Sequence, residues 1–321
     1  MDEGFAHLKT LHPEPEPPRR SRMVDLLVWL DQRRHKPEYY TPHSCAGGSL
    51  MARAEYEYHS VEIFLAILHE VNLDIRVFDG KRVLDAGCGW GGKMVYFSQH
   101  SSALSFDGFD LPGYQPQVSE EFARQHNVTN CTFTNGFAEA MPYEDGRFDL
   151  VMMDDVLEHV QDPEKTMREC WRVLRPGGEL LMRFPSFKMM EAHHLDRAIR
   201  LPAMQYVLPM KTWSAGLNER LLRSENTKTY VPFSRTIKTK YHPDINYDLN
   251  GIDFTHFKAL VKEIGFEPRV LTMLPYIRDM QNARRKWLRA LYLLLYRIPA
   301  LQEFLSHTIV FYGQKPAQVG N

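Results

Sequence analysis

The sequence predicts an α/β chain whose mostly parallel sheet carries a ligand crevice at its carboxyl edge. Three observations predict it. Between Lys81 and Phe184, short apolar runs alternate with amphipathic stretches, the rhythm of parallel strands joined by right-handed crossovers. The first run ends in "DAGCGWGG", Asp85 to Gly92, a glycine-rich turn ahead of a helical stretch. A second acid, Asp110, ends the next apolar run.

The elements follow in order. Residues 1–20 close on "HPEPEPPRR" and read as a flexible, extended lead-in. Residues 21–79 read as an N-terminal helical segment: a short helix over Arg22–His35, loop chemistry at "TPHSCAGGS", and a long helix over Met51–Asn72 with Val61, Phe64, Leu65 and Leu68 at helical spacing. Residues 80–187 form the ligand-binding core. Its strands are expected at Arg82–Ala86, Ala103–Phe109, Cys131–Thr134, Phe148–Met153 and Glu179–Phe184, and its helices at Gly91–Gln99, Gln117–His126 and Pro163–Leu174. The last helix has Asp162 as N-cap, Pro163 at its first position and "RPGG" as its stop. Residues 188–250 lose the rhythm but are too rich in aliphatic and aromatic residues for disorder, and read as a substrate-capping insertion. Residues 251–316 resume with a helix over Phe254–Ile264 closed by Gly265 and a strand over Glu267–Leu274. Two helical pieces over 281–306, broken at Pro299, and a last strand over His307–Lys315 follow. There is no internal repeat.

Composition is ordinary for a globular chain: 321 residues, 44% hydrophobic and 25% charged. A formal net charge of −1 offers no overall basic field for nucleic acid. Cys45, Cys88, Cys131 and Cys170 are too scattered for a disulfide framework or a zinc site, so a reducing cytoplasm is the expected compartment. The start, "MDEGFAHLKT", lacks a signal pattern, and "ALYLLLY" falls well short of the roughly 20 apolar residues that a spanning helix needs.

The glycine loop sits where open α/β sheets bind ligands. Gly87, Gly89 and Gly92 satisfy the spacing of a dinucleotide fingerprint, so the glycines alone leave that reading open. Asp85 argues otherwise: a carboxylate just before the first glycine suits a cationic amine and sits badly beside a pyrophosphate. Lys93 is followed by Met94, so no P-loop closes. Asp110 can accept the hydroxyls of a ribose. An amine-bearing chain along the loop and a ribose on Asp110 together fit S-adenosylmethionine. A plain strand–helix turn is the bland alternative, disfavoured by Asp110 and "DVLEHV" falling in register.

The stretches "VLDAGCGWGG", "FDGFDL" and "NGFAEAMPYEDGRFDLVMMDDVLEHVQDPEKTMRECWRVLRPGGELLM" closely resemble the class I S-adenosylmethionine-dependent methyltransferases, nearest to the small-molecule branch that includes ubiquinone and menaquinone biosynthesis enzymes. The likeness covers roughly residues 80–187 and, more weakly, 251–275 and the terminal strand. It implies a Rossmann-like sheet of seven strands with the last antiparallel, S-adenosyl-L-methionine as cofactor, and a binding set of Asp85, Gly87, Cys88, Gly89, Asp110, Leu111, Gly136, Phe137, Ala138 and Asp154. Of Asp154 and Asp155, one is expected to face the ligand and the other to cap a turn, with Asp154 taken as the ligand-facing acid. The sequence departs from many relatives at Phe137, where they carry an aspartate for the adenine amino group. Backbone groups near Gly136 and Ala138, walled by Phe137, are expected to serve instead.

The expected reaction is methyl transfer by in-line displacement to a nucleophile, foremost a hydroxyl oxygen, of a small-molecule or glycan-like acceptor. Base candidates are His193, His194 and His159, in that order. The first two are adjacent, so at most one points inward, and His159 could equally hold a loop by hydrogen bonds. Tyr56, Tyr58 and His59 either fold over the cofactor or pack their helix. No metal cluster is evident. Leu291, Leu293, Leu294 and Leu295 span most of a helix circumference, which favours burial or a contact within a homo-oligomer over a membrane-surface helix. "RSENTKTYVPFSRTIKTK", Arg223 to Lys240, reads as a substrate-facing flap rather than a nucleic-acid surface. An RNA or protein methyltransferase and a non-catalytic binder are the alternatives, and intact Asp85, Gly87, Gly89 and Asp110 argue against the latter.

Overall fold

The computed structural model describes residues 49–190, 249–275 and 286–317, with isolated positions at 22, 23, 25, 26, 29 and 206. The lead-in, His193, His194 and the segment Arg223–Lys240 lie outside the described residues.

Strands β1 (Arg82–Ala86), β2 (Ser105–Asp110), β3 (Cys131–Asn135), β4 (Phe148–Asp154), β5 (Leu174–Phe184), β6 (Glu267–Pro275) and β7 (Ser306–Gln314) form one seven-stranded sheet, ordered β3-β2-β1-β4-β5-β7-β6. β1 to β5 are mutually parallel, and β7 runs antiparallel between β5 and β6. The chain winds outward from β1 to β3 and then returns to the other side of β1 at β4. That reversal opens a crevice at the carboxyl ends of β1 and β4. β4 is buried at six of its seven positions, as a strand covered by helices on both faces must be.

Helices α1 (Leu50–Glu70), α2 (Gly92–His100) and α3 (Pro116–Gln125) share one apolar layer, in which Phe64, Phe78, Phe97, Phe106 and Phe122 are buried. Helices α4 (Pro163–Val173) and α5 (Phe254–Ile264) belong to the other layer, with Phe148, Phe184, Phe257 and Phe311. Local chemistry sets the helix ends. Asp162 accepts from Lys165 N at 3.0 Å, Asp253 accepts from His256 N at 2.8 Å, and Gly265 closes α5 at φ +100°.

Most boundaries fall within two residues of expectation, and two differences bear on the fold. β5 starts at Leu174 rather than Glu179, because Leu174 pairs with Phe148 and the ladder resumes only at Leu150–Glu179. The "RPGG" that stops α4 is thus a bulge inside a strand. The C-terminal helices are α6 (Lys286–Tyr296) and α7 (Pro299–Gln302). Their break falls before Pro299, which opens α7 because a proline's missing N–H costs nothing in a first turn. Of the two readings of the α6 leucines, burial within the chain does not hold. Leu291 is 45% and Leu294 61% exposed, while Tyr292, at 7%, is the residue turned inward. Among the described residues no helix is long and apolar enough to cross a membrane.

Candidate cofactor and active site

The glycine loop is stitched to the tip of β2. Gly87 N and Cys88 N both donate to Phe109 O, at 2.9 and 3.0 Å. Gly89 N donates to Asp110 Oδ2 at 2.7 Å, and Gly91 N to Cys88 O at 3.0 Å. Trp90 N and Gly92 N donate to the Glu57 carboxylate, which reaches over from α1, at 3.0 and 3.1 Å. Every loop amide from Gly87 to Gly92 therefore has a partner inside the protein, and the amino end of α2 already holds an anion. That arrangement disfavours the dinucleotide reading, since a pyrophosphate site needs those amides and that helix end. Gly87 is irreplaceable on two grounds: its φ is +93°, and a Cβ there would lie 2.3 Å from Val156 Cγ2.

Beside the loop lie two buried polar atoms without a hydrogen-bond partner, Asp85 Oδ2 and Arg53 Nε. Asp85 is 1% exposed. Burial raises its pKa to about 7, opposed by Lys93 and reinforced by Asp154, Asp110 and Glu57. Glu57 is raised to about 7 as well, again chiefly by burial, against the Trp90 amide and the Lys93 cation. The Arg53 guanidinium lies 5.6 Å over the Trp90 ring. An acceptor of positive charge and a donor to negative charge thus stand unanswered at one loop, and leaving such groups unpaired is costly.

Asp154 is placed otherwise than expected. Its carboxylate is enclosed by Lys93 Nζ, at 2.5 Å, and by Arg183 Nε, so the geometry does not support a ligand-facing role. Arg183 also grips Asp155, whose φ of +56° bends the chain away from β4. Burial alone would raise Asp154, but Arg183 and Lys93 hold it below the usual carboxylate range. Burial alone would lower Lys93, yet Asp154 and Asp85 hold it above its ordinary value.

At the β2 tip, Asp110 Oδ1 accepts from Leu111 N at 2.7 Å, so both its oxygens already take backbone N–H groups. A carboxylate oxygen can accept twice, and a ribose hydroxyl would share them. The structure adds detail at the expected adenine position. Gly136 N donates to Asp110 O at 3.0 Å, and Phe137 is 46% exposed, an apolar surface beside the β3 exit. Ala138, 6% exposed, belongs to the core. Sequence reasoning missed Asn135, whose Nδ2 donates to Asp110 O, Leu111 O and Tyr114 O and so shapes the turn that presents Asp110.

At the exit of β4, His159 Nε2 lies 3.6 Å from Glu158 Oε1. Glu158 is 3% exposed, neither of its oxygens has a hydrogen-bond partner, and burial raises its pKa. Pro185, Phe187, Leu249, Gly251 and Ile252 pack around it, leaving no space for a water molecule. Glu158 lies within "DVLEHV", where its histidine neighbour is the more conspicuous residue. Asn250 Nδ2 donates to Leu157 O and Val160 O, pinning this turn. On α1, Tyr58 packs in place, its hydroxyl donating to Gln99 Oε1 at 2.7 Å, and His59 pairs with Glu55 at 2.8 Å. Tyr56 is 44% exposed. Among the described residues no group of three or more His, Cys, Asp or Glu could hold a metal ion.

Comparison with known proteins bears on this geometry. Residues 84–182 match the methyltransferase domain family. Phthiotriol/phenolphthiotriol dimycocerosates methyltransferase 1 of Mycobacterium ulcerans is 36% identical over 102 residues, 32% of this chain and 36% of the relative. Norajmaline N-methyltransferase of Rauvolfia serpentina is 35% identical over 103 residues, covering 32% and 35%. The ubiquinone biosynthesis O-methyltransferase of Pseudomonas fluorescens is 28% identical over 204 residues, covering 56% of this chain and 84% of the relative. The chain thus spans about a third of the length of the first two relatives. The sheet order and the glycine loop accord with the methyltransferase domain that residues 84–182 match, and S-adenosyl-L-methionine is the cofactor that this likeness implies. The residues present fit that cofactor. Its amino-acid end is a zwitterion, and the two unanswered buried atoms at the loop are an acid oxygen and a guanidinium nitrogen.

Proposed function

We propose that this chain transfers a methyl group from S-adenosylmethionine to a nucleophilic oxygen of a small-molecule or glycan-like acceptor. The observation that carries the reading is the pair of unpartnered buried atoms, Asp85 Oδ2 and Arg53 Nε, beside a glycine loop whose own amides are all engaged. Bound there, the cofactor supplies an electrophilic methyl group. Asp85 holds the amine, Arg53 the carboxylate, and Asp110 the ribose hydroxyls. Fixing the reactants in this way is worth about 7–11 kcal/mol in favourable systems. His159, whose Nε2 lies 3.6 Å from Glu158 Oε1, takes the proton of a hydroxyl acceptor. A base in that role contributes about 10²–10⁴-fold. His193 and His194 remain the other candidates for the same step. The relatives, norajmaline N-methyltransferase and the ubiquinone biosynthesis O-methyltransferase among them, support a small-molecule acceptor.

Calorimetry with S-adenosylhomocysteine tests the cofactor half. The wild type binds, and Asp85→Asn, Arg53→Met and Asp110→Ala each weaken binding by at least about tenfold, the cost of one lost charged hydrogen bond. Full affinity in any of the three removes that residue from the site. Release of S-adenosylhomocysteine in the presence of hydroxyl-bearing acceptors tests the other half. His159→Gln is expected to lower kcat by about 10²-fold or more with the cofactor KM unchanged.

A further inference from the structure

Helix α6 carries a surface that methyl transfer leaves unexplained. Trp287, Leu291 and Leu294 fall at i, i+4 and i+7, one face of a helix, and Ile298 follows in the turn beyond. They are 61%, 45%, 61% and 44% exposed. The helix is anchored by its tyrosines: Tyr292 donates its hydroxyl to Leu305 O, and Tyr296 donates to Met273 O at 2.6 Å. With the tyrosines turned inward, the apolar stripe faces solvent. Scattered exposed leucines are ordinary, but a contiguous stripe headed by a tryptophan marks an interaction surface.

The charge of the segment that carries the stripe says what covers it. Between Asp279 and Glu303 the sequence has five basic residues, Arg284, Arg285, Lys286, Arg289 and Arg297, and no acid, in a chain whose net charge is −1. Arg289 and Arg297 are exposed. A second copy of the same face would set like charges against each other, whereas anionic lipid headgroups complement them. Topology places the strand ends that flank α6 on the edge of the sheet that carries the site. β5 and β6 are both antiparallel to β7, so Pro275 and Ser306 lie at the carboxyl edge of the sheet, with Asp85, Asp110 and Glu158. The chain leaving β5 joins this corner, as Met190 N donates to Phe304 O at 3.0 Å and Glu303 accepts from Phe254 N at 2.7 Å.

We propose that α6 lies on anionic bilayers, with Trp287, Leu291 and Leu294 in the headgroup–acyl boundary and Arg289 and Arg297 reaching lipid phosphates, so that the crevice opens at the membrane surface. An acceptor dissolved in the bilayer would then reach the crevice without crossing water. That consequence rests on the methyl-transfer reading; the binding itself does not.

The test is co-sedimentation of the full chain with vesicles of phosphatidylcholine alone and of phosphatidylcholine with phosphatidylglycerol. Binding is expected on the mixed vesicles, and at least about tenfold weaker on the neutral ones or at high salt. Leu291→Glu/Leu294→Glu and Arg289→Glu/Arg297→Glu each weaken it by a further factor of about ten or more, with melting temperature and S-adenosylhomocysteine affinity unchanged. Absence of vesicle binding, equal binding to both compositions, or variants that bind like wild type would overturn the proposal. So would a concentration-dependent dimer that Leu294→Glu dissolves while vesicles capture nothing. Failure to bind S-adenosylhomocysteine sinks the methyl-transfer reading instead and leaves the vesicle result standing.

Discussion

Asp85 sits 1% exposed with one oxygen unanswered, and burial raises its pKa from 3.8 to about 7. The folded chain therefore keeps a proton on Asp85 between roughly pH 4 and 7 that the unfolded chain has lost, so this residue makes stability fall as pH rises through that window. A bound amine reverses the preference, because a cation beside Asp85 favours its ionised form. Binding of S-adenosylhomocysteine should then tighten as pH rises through about 7, with release of a proton. Measured by calorimetry, affinity at about pH 6 should be several-fold weaker than at about pH 8, and Asp85→Asn should flatten the difference. Without ligand, the same variant should melt higher than wild type at about pH 8, since it removes a buried, incompletely compensated charge. Equal affinities at the two pH values in the wild type would show that Asp85 does not hold the amine. The sequence made Asp85 conspicuous because it precedes the first glycine. Arg53 was not conspicuous, since an arginine on a helix is usually a solvated one, and only packing strands its Nε beside Trp90.

The element of greatest consequence is α1, whose Glu57 is bonded to amides 33 and 35 residues further along the chain. The helix itself was legible from the spacing of Val61, Phe64 and Leu68, all of them buried. What it does to the loop was not. Glu57→Ala leaves Trp90 N and Gly92 N without an acceptor, and should cost about 1–3 kcal/mol for each amide in urea unfolding. Glu57→Gln keeps an amide oxygen as acceptor and should cost less. A pair of equally mild variants would mean that the contact carries little of the stability. Gly92 tells the same story from the other side, because a Cβ there would lie 2.0 Å from Ala54 O on α1. α5 shows where local reading suffices. Asp253 and Gly265 supply their own cap and stop, and the helix runs over the expected Phe254–Ile264. β5 shows where it fails: "RPGG" is turn chemistry, and only pairing with β4 carries a strand through it.

At the scale of the whole molecule, Lys93 on α2, Asp154 on β4 and Arg183 on β5 tie three elements into one buried ionic knot beneath the crevice. Arg183 is 14% exposed at its side chain and Asp154 5%, so screening is weak. Arg183→Met should destabilise the fold by about 3–5 kcal/mol, because it leaves Asp154 with Lys93 alone and Asp155 without its guanidinium. Chemical denaturation of the variant checks this, and a loss well under 1 kcal/mol would mean that water or rearrangement replaces the arginine. The sequence by itself determined what depends on neighbours a few residues away: the alternation of strands and helices, the caps, the positive-φ glycines, and two acids at strand tips. Tertiary structure alone decided which charges meet, that Asp154 turns inward while Asp85 stays unanswered, and that α6 shows its leucines to solvent. The reason is physical. A periodic pattern states which side chains share a face, but which face is covered, and by what, depends on partners that come within reach only once the sheet has closed.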